Sequence, residues 1–241
     1  GKAGAVVEIN AETDFVGRNQ DFQDFVSTVA GIMLDQECSI EDVTNATFPG
    51  TERNVGEQLT HNIATIGENM SIRRGETLSV NEGVVISYVH NALSGGLGKI
   101  GVLVALKSDG DTAALNTLGK QIAMHVAAAR PESVSVDDIA PEALERERSV
   151  LVDQARSSGK PENIIEKMVE GRLRKYYEEV VLLEQAFVID TDLKVSKVIE
   201  NASNEIGSPI ELAGFVRYEL GEGIEKSEAD FAAEVAATLN T

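Results

Sequence analysis

The feature that most constrains this chain is a unit that occurs twice. Gly4-Ala5-Val6-Val7 opens an apolar strand, a polar loop follows, and Phe22, Phe25, Val26, Val29, Ile32 and Met33 then recur at the three- and four-residue spacings of one helical face. Gly101-Val102-Leu103-Val104 repeats the order, with Leu115, Leu118, Ile122 and Val126 on the helix Ala114–Arg130 that Pro131 stops. A strand and one helix cannot bury both of their apolar faces alone, so two such units need further layers. The second unit's strand, Ile100–Lys107, and an additional strand expected at Val84–Val89 are joined by Asn91–Lys99, a loop containing Ser94-Gly95-Gly96, and so form a hairpin rather than a βαβ crossover. The pattern predicts an α+β fold with small, mostly antiparallel sheets faced by helices.

The rest of the chain supplies more helices than strands. Asn54–Ile66 reads as a helix and Asn69–Arg74 as a strand. Asp138–Arg156 is helical with Pro141 in its first turn, and Gly159-Lys160-Pro161 breaks the chain. A helix over Pro161–Tyr177 turns Ile165, Met168, Val169, Leu173 and Tyr176 inward. Val180–Leu183 and Phe187–Ile189 look extended, and Thr191–Ile206 is helical with Val195, Val198, Ile199, Ala202 and Ile206 in a stripe. Similar lengths predict that 161–177 and 192–206 form an antiparallel helical pair. Glu211–Leu220 is a strand, and Ser227 caps a last helix with Phe231, Val235 and Leu239 along one face.

The sequence offers little that could carry covalent chemistry. His61, His90 and His125 lack metal-ligand spacing, and neither a nucleophile elbow nor a phosphate-binding loop is present. The glycines at 95, 96 and 98 precede no helix N-terminus, which argues against a phosphate cradle. No enzymatic activity and no cofactor are therefore expected. His125 shares a helical face with Leu118 and Ile122 and reads as a satisfied, half-buried histidine. Forty acidic against 21 basic residues give a formal charge of −19, which repels nucleic acid and anionic membranes and suits a protein partner. The single cysteine, Cys38, points to a reducing compartment. No 18-residue apolar run or signal peptide is present, and Gly1-Lys2 reads as the start of a fragment. One stretch stands out: Thr13-Asp14-Phe15-Val16-Gly17 places two apolar side chains in a polar strand-to-helix loop. Either Phe15 and Asp14 enter a partner, or the Asp caps a turn and the Phe tucks into its own core.

Several ordered motifs resemble elongation factor Ts, the guanine-nucleotide exchange factor for elongation factor Tu. They are Thr13-Asp14-Phe15-Val16, Ile66-Gly67-Glu68-Asn69-Met70-Ser71-Ile72-Arg73-Arg74, Ile122-Ala123-Met124-His125-Val126-Ala127-Ala128, Ser158-Gly159-Lys160-Pro161, Glu166-Lys167-Met168-Val169-Glu170-Gly171-Arg172, Gly221-Glu222-Gly223-Ile224-Glu225-Lys226 and Asp230-Phe231-Ala232-Ala233-Glu234-Val235. The resemblance covers nearly the whole chain. It implies a core of two α+β subdomains (1–113, then 114–163 with 207–226), an antiparallel coiled-coil protrusion (164–206) and a C-terminal helical module (227–241). The chain departs from the family in starting after the small ubiquitin-associated-like domain with which members usually begin. Gln121 also stands where some bacterial members carry a second histidine.

The resemblance further implies a non-enzymatic protein whose partner is elongation factor Tu, placed in the bacterial cytoplasm, with an organelle matrix as the lesser alternative. Thr13, Asp14, Phe15 and Val16 would displace the partner's Mg²⁺. Ile100, Gly101, Met124 and His125 would face its phosphate-binding loop, and Phe231 and Val235 would dock elsewhere on its nucleotide domain. Self-association through the coiled coil stays open. The rival reading is a scaffolding or chaperone-like α+β protein acting through its coiled coil.

Overall fold

In the computed structural model, which describes residues 1–224 except 158 and 160, each half of the repeat lays its helix on its own strand. Strand β1 (Ala3–Ala11) is followed by a one-turn 3-10 helix at Val16–Arg18 and by α1 (Gln20–Gln36). Asn19 starts α1 by accepting a hydrogen bond from the Phe22 N–H. Two further helices, α2 (Ile40–Val43) and α3 (Val55–Ile66), lead to β2 (Met70–Ser79), which pairs antiparallel with β1. Asn54 and Glu57 close a capping box at the start of α3. Phe25, Val29, Met33, Val43 and Val55 fill the core between these helices and the β1–β2 sheet.

The second half is built from β3 (Val84–His90), β4 (Ile100–Lys107), α4 (Thr112–Ala129) and β7 (Glu211–Glu219). Strand β4 lies between β3 and β7, antiparallel to both. Val102, Val104 and Leu106 face α4, while Leu103 and Ala105 face the β1–β2 sheet. Burial on both faces explains why β4 reads as an unbroken apolar run. The result is four layers: helices, two-stranded sheet, three-stranded sheet, helices.

The two sheets meet where the repeat places glycine. In β1, Ala5, Val7 and Ile9 face α1, and Gly4, Val6 and Glu8 face the other sheet. A Cβ at Gly4 would lie 3.0 Å from Leu103, and one at Gly101 would lie 2.9 Å from Val6. Gly4 and Gly101 are equivalent in the repeat, as are Val6 and Leu103. The contacts are therefore reciprocal, as across a two-fold axis. Each glycine lets the opposite sheet's branched side chain approach.

Three expectations differ from the structure. The helical pair is formed by α5 (Pro141–Arg156) and α6 (Glu162–Val180), not by 161–177 with 192–206. Leu151 and Ala155 of α5 pack against Ile165 and Val169 of α6. The segment after α6 forms a 3-10 turn at Leu182–Glu184 and a short hairpin of β5 (Ala186–Phe187) and β6 (Asp190–Lys194), so α7 begins only at Val195 and runs to Ile206. Val195 and Ile199 of α7 then join the core under α4, so α7 belongs to the second core and not to a protrusion. Finally, β3 and β4 precede residue 113 yet share their sheet with β7, so a boundary at 113 divides one sheet. The helix expected after Ser227 lies outside the described residues.

Candidate partner-binding site

The Thr13–Gly17 loop leaves β1 and enters α1, and its side chains divide sharply. Phe15 is 80% exposed, whereas the neighbouring Val16 is 3% exposed and packs in the first core. Phe15 therefore does not tuck into its own core, and Val16 is unavailable to a partner. Glu68 holds the base of the loop. Its carboxylate accepts from the Thr13 N–H at 3.0 Å and from the Thr13 hydroxyl at 2.6 Å. Lys99, at the end of the β3–β4 loop, pairs with Asp14 at 3.4 Å. The Gln23 amide donates to the Gly17 carbonyl at 2.8 Å, and its oxygen accepts from the Ser94 hydroxyl at 3.1 Å. The loop is thus supported by the α3–β2 turn on one side and by the β3–β4 loop on the other.

Lys99 also brings the start of β4 to this loop, placing Ile100 and Gly101 one and two residues along the chain from the contact with Asp14. Both are half-buried, and Gly101 is committed to the approach of Val6. On α4, Met124 is exposed, but His125 is completely buried. Its Nδ1 accepts from the Val188 N–H at 3.2 Å. A neutral ring must then carry its proton on Nε2, which donates to the Gln185 side-chain oxygen at 2.8 Å. Phe187 packs beside the ring. Burial pushes the His125 pKa below its ordinary value, partly opposed by the Gln185 hydrogen bond. His125 consequently holds α4 to the segment after α6 and to the β5–β6 hairpin, and it has no free face. Phe231 and Val235 lie outside the described residues.

Sequence reading missed a polar cluster in the same half of the β1–β2 sheet, three residues before the end of β1. Glu8 is 4% exposed. Its carboxylate takes the Arg73 guanidinium at 2.8 Å, the Arg74 guanidinium and the Gly221 N–H at 2.8 Å. Adjacent strand residues normally point to opposite faces, but the register of β1 and β2 shifts at Glu8/Ile9 and lets both arginines reach one carboxylate. Burial raises the Glu8 pKa, but the Gly221 N–H and the two arginines outweigh it and hold the carboxyl below its usual value. Arg73 also donates to the Glu222 carbonyl, and Arg74 lies over the Tyr218 ring at 4.2 Å. The cluster fastens the first sheet to the end of β7. The sequence signal was a lone acid in an apolar strand and a pair of arginines in its partner.

Among the described residues, no group of acids, histidines and cysteine could hold a metal ion, and no helix is long and apolar enough to cross a membrane. Comparison with known proteins adds the family. A family model described as Elongation factor TS matches residues 12–222. Elongation factor Ts of Rhodospirillum centenum is 61% identical over 98% of this chain and 76% of that protein. Elongation factor Ts of Rhodospirillum rubrum is 63% identical over 99% of this chain and 78% of that protein. That of Rhizobium etli is 54% identical over 99% and 78%. The chain belongs to the elongation factor Ts family of translation elongation factors.

Proposed function

We propose that the chain is a guanine-nucleotide exchange factor for elongation factor Tu and that Phe15 is its principal wedge. The observation that carries this reading is an aromatic side chain left 80% exposed at the tip of a loop whose base and flank are tethered. Exposing a phenylalanine so fully gives the free protein nothing, and its burial in a partner recovers about 1.5–3 kcal/mol. In the partner, Mg²⁺ bridges the nucleotide phosphates and the protein. Phe15 displaces the groups that orient the ion, and Asp14, released from Lys99, competes for nearby cationic or backbone donors. No covalent step is required.

Linkage sets the size of the task. A factor that binds the nucleotide-free GTPase more tightly than the GDP-bound form must weaken GDP by the same ratio. A loss of about 10³ in GDP affinity corresponds to about 4 kcal/mol of coupling, more than Phe15 alone supplies. Ile100 and Met124, and Phe231 and Val235 in the C-terminal segment, are assigned further contacts. His125 acts by supporting Met124's helix, and Val16 by anchoring the loop. The units of the core are β1–β2 with α1–α3, and β3–β4–β7 with α4 and α7. The α5–α6 pair is the protrusion, and the setting is the bacterial cytoplasm.

The test is GDP release from elongation factor Tu. Phe15→Ala should slow release by about tenfold or more while leaving stability within about 0.5 kcal/mol, as expected of an exposed position. A protein acting as a scaffold through α5 and α6 would leave release unchanged in this variant.

A further inference from the structure

The Thr13–Val16 loop is held at its base by a residue from outside it. Glu68 lies in the turn between α3 and β2, directly after Gly67, whose φ of +83° closes the helix in the left-handed region. The two Glu68 oxygens take two different donors of one residue, the Thr13 N–H at 3.0 Å and the Thr13 hydroxyl at 2.6 Å. Acceptance by both oxygens fixes the orientation of Thr13 as well as its position, and so sets the direction in which the chain leaves β1. Three residues later Val16 is buried, which fixes the other end. Only Asp14 and Phe15 lie between these anchors. The Asp14–Lys99 pair is a weaker restraint, because both side chains are more than half exposed and the separation is 3.4 Å.

We propose that Glu68 is a positioning residue for partner binding: it pre-organises the Thr13–Val16 loop so that Phe15 is presented ready to enter the partner. This rests on the reading of Phe15 as the wedge. A loop that is in its binding geometry only part of the time weakens apparent affinity in proportion to that fraction. It does so without changing the complex once formed. Glu68 thus acts on the concentration at which exchange is half-maximal, whereas Phe15 acts on the maximal rate.

The experiment measures GDP release from elongation factor Tu against the concentration of this chain, for the wild type, Glu68→Ala, Glu68→Gln, Phe15→Ala and the Glu68→Ala/Phe15→Ala double variant. Glu68→Ala should raise the half-saturating concentration about fivefold with the maximal rate kept within about twofold. Glu68→Gln, which retains one acceptor oxygen, should fall between it and the wild type. On the Phe15→Ala background the Glu68 change should add less than about twofold, because the side chain it presents is gone. Melting temperatures within about 2 °C of wild type would exclude a general loss of fold. An unchanged half-saturating concentration in Glu68→Ala, with Phe15→Ala still defective, overturns the positioning role and leaves the wedge standing. An equal Glu68 defect on both backgrounds also overturns it, since Glu68 would then act independently of Phe15. A neutral Phe15→Ala overturns the wedge itself.

Discussion

His125 provides the sharpest quantitative test, because its surroundings fix both a magnitude and a pH dependence. The ring is completely buried, and its Nε2–H satisfies the oxygen of Gln185, which is itself 4% exposed. Alanine would strand that oxygen at a cost of about 1–3 kcal/mol and open a cavity worth about 2 kcal/mol more. The Val188 N–H, on a residue with an exposed side chain, can return to water and adds little. His125→Ala should therefore lose about 3–5 kcal/mol, a large share of the stability of a domain. His125→Gln can keep a donor for Gln185 and should lose less. The folded-state pKa is depressed, so the unfolded chain binds the proton first. The stability contributed by neutral His125 is thus complete above about pH 6.5 and declines as pH falls toward the folded pKa, with a slope of at most about 1.4 kcal/mol per pH unit. Urea unfolding of the wild type and His125→Gln between pH 5 and 8 isolates the effect: the wild type's advantage should shrink on acidification. At equal folded concentration, His125→Ala should slow exchange less than Phe15→Ala. A pH-independent difference, or a small stability loss with a large exchange defect, would refute the buried, neutral assignment.

Two further outcomes follow from the same reasoning. Glu8→Ala should lower stability by about 2–3 kcal/mol, since Arg73 and Arg74 keep only partial access to water when their acceptor is lost. Because the Glu8 pKa is lowered in the fold, the wild type's advantage should be full above about pH 4.5 and fade as pH falls further, which acid titration of unfolding checks. Removing residues 228–241 should weaken affinity for elongation factor Tu whether or not Mg²⁺ is present, while the Phe15→Ala defect should shrink when the ion is chelated. GDP release with and without chelator distinguishes the two, and equal rescue of both variants would merge their roles.

The parts of this fold legible in the sequence are those written in periodicity. The stripe from Phe22 to Met33 and the apolar run of β4 state that a face is buried, and it is. A stripe does not state what buries it. Ile165 and Val169 on α6 needed a partner, and length alone favoured 192–206 over α5, where Leu151 and Ala155 wait one turn-length apart on a sparser face. Strand β6, with Asp190, Thr191 and Asp192 all exposed, has no alternation to read. Phe15 and Val16 show the same limit at the site: two adjacent apolar residues in one loop, one exposed and one buried, with nothing in their spacing to separate them.

The polar tethers were illegible for a different reason, and they share one task. Glu68 accepts the Thr13 N–H, Glu8 the Gly221 N–H and His125 the Val188 N–H. Each recipient lies in an irregular segment: the loop after β1, the turn after β7 and the tip of the β5–β6 hairpin. Backbone donors in such places have no ladder to join and must find an acceptor elsewhere. A side chain from a distant part of the chain provides it, from the α3–β2 turn, β1 and α4 respectively, at sequence separations of 55, 213 and 63. No local pattern encodes a pairing of that span. The tether that holds the exposed Phe15 is of this class, so the residue most consequential for presenting the wedge is one that the loop's own sequence could not reveal.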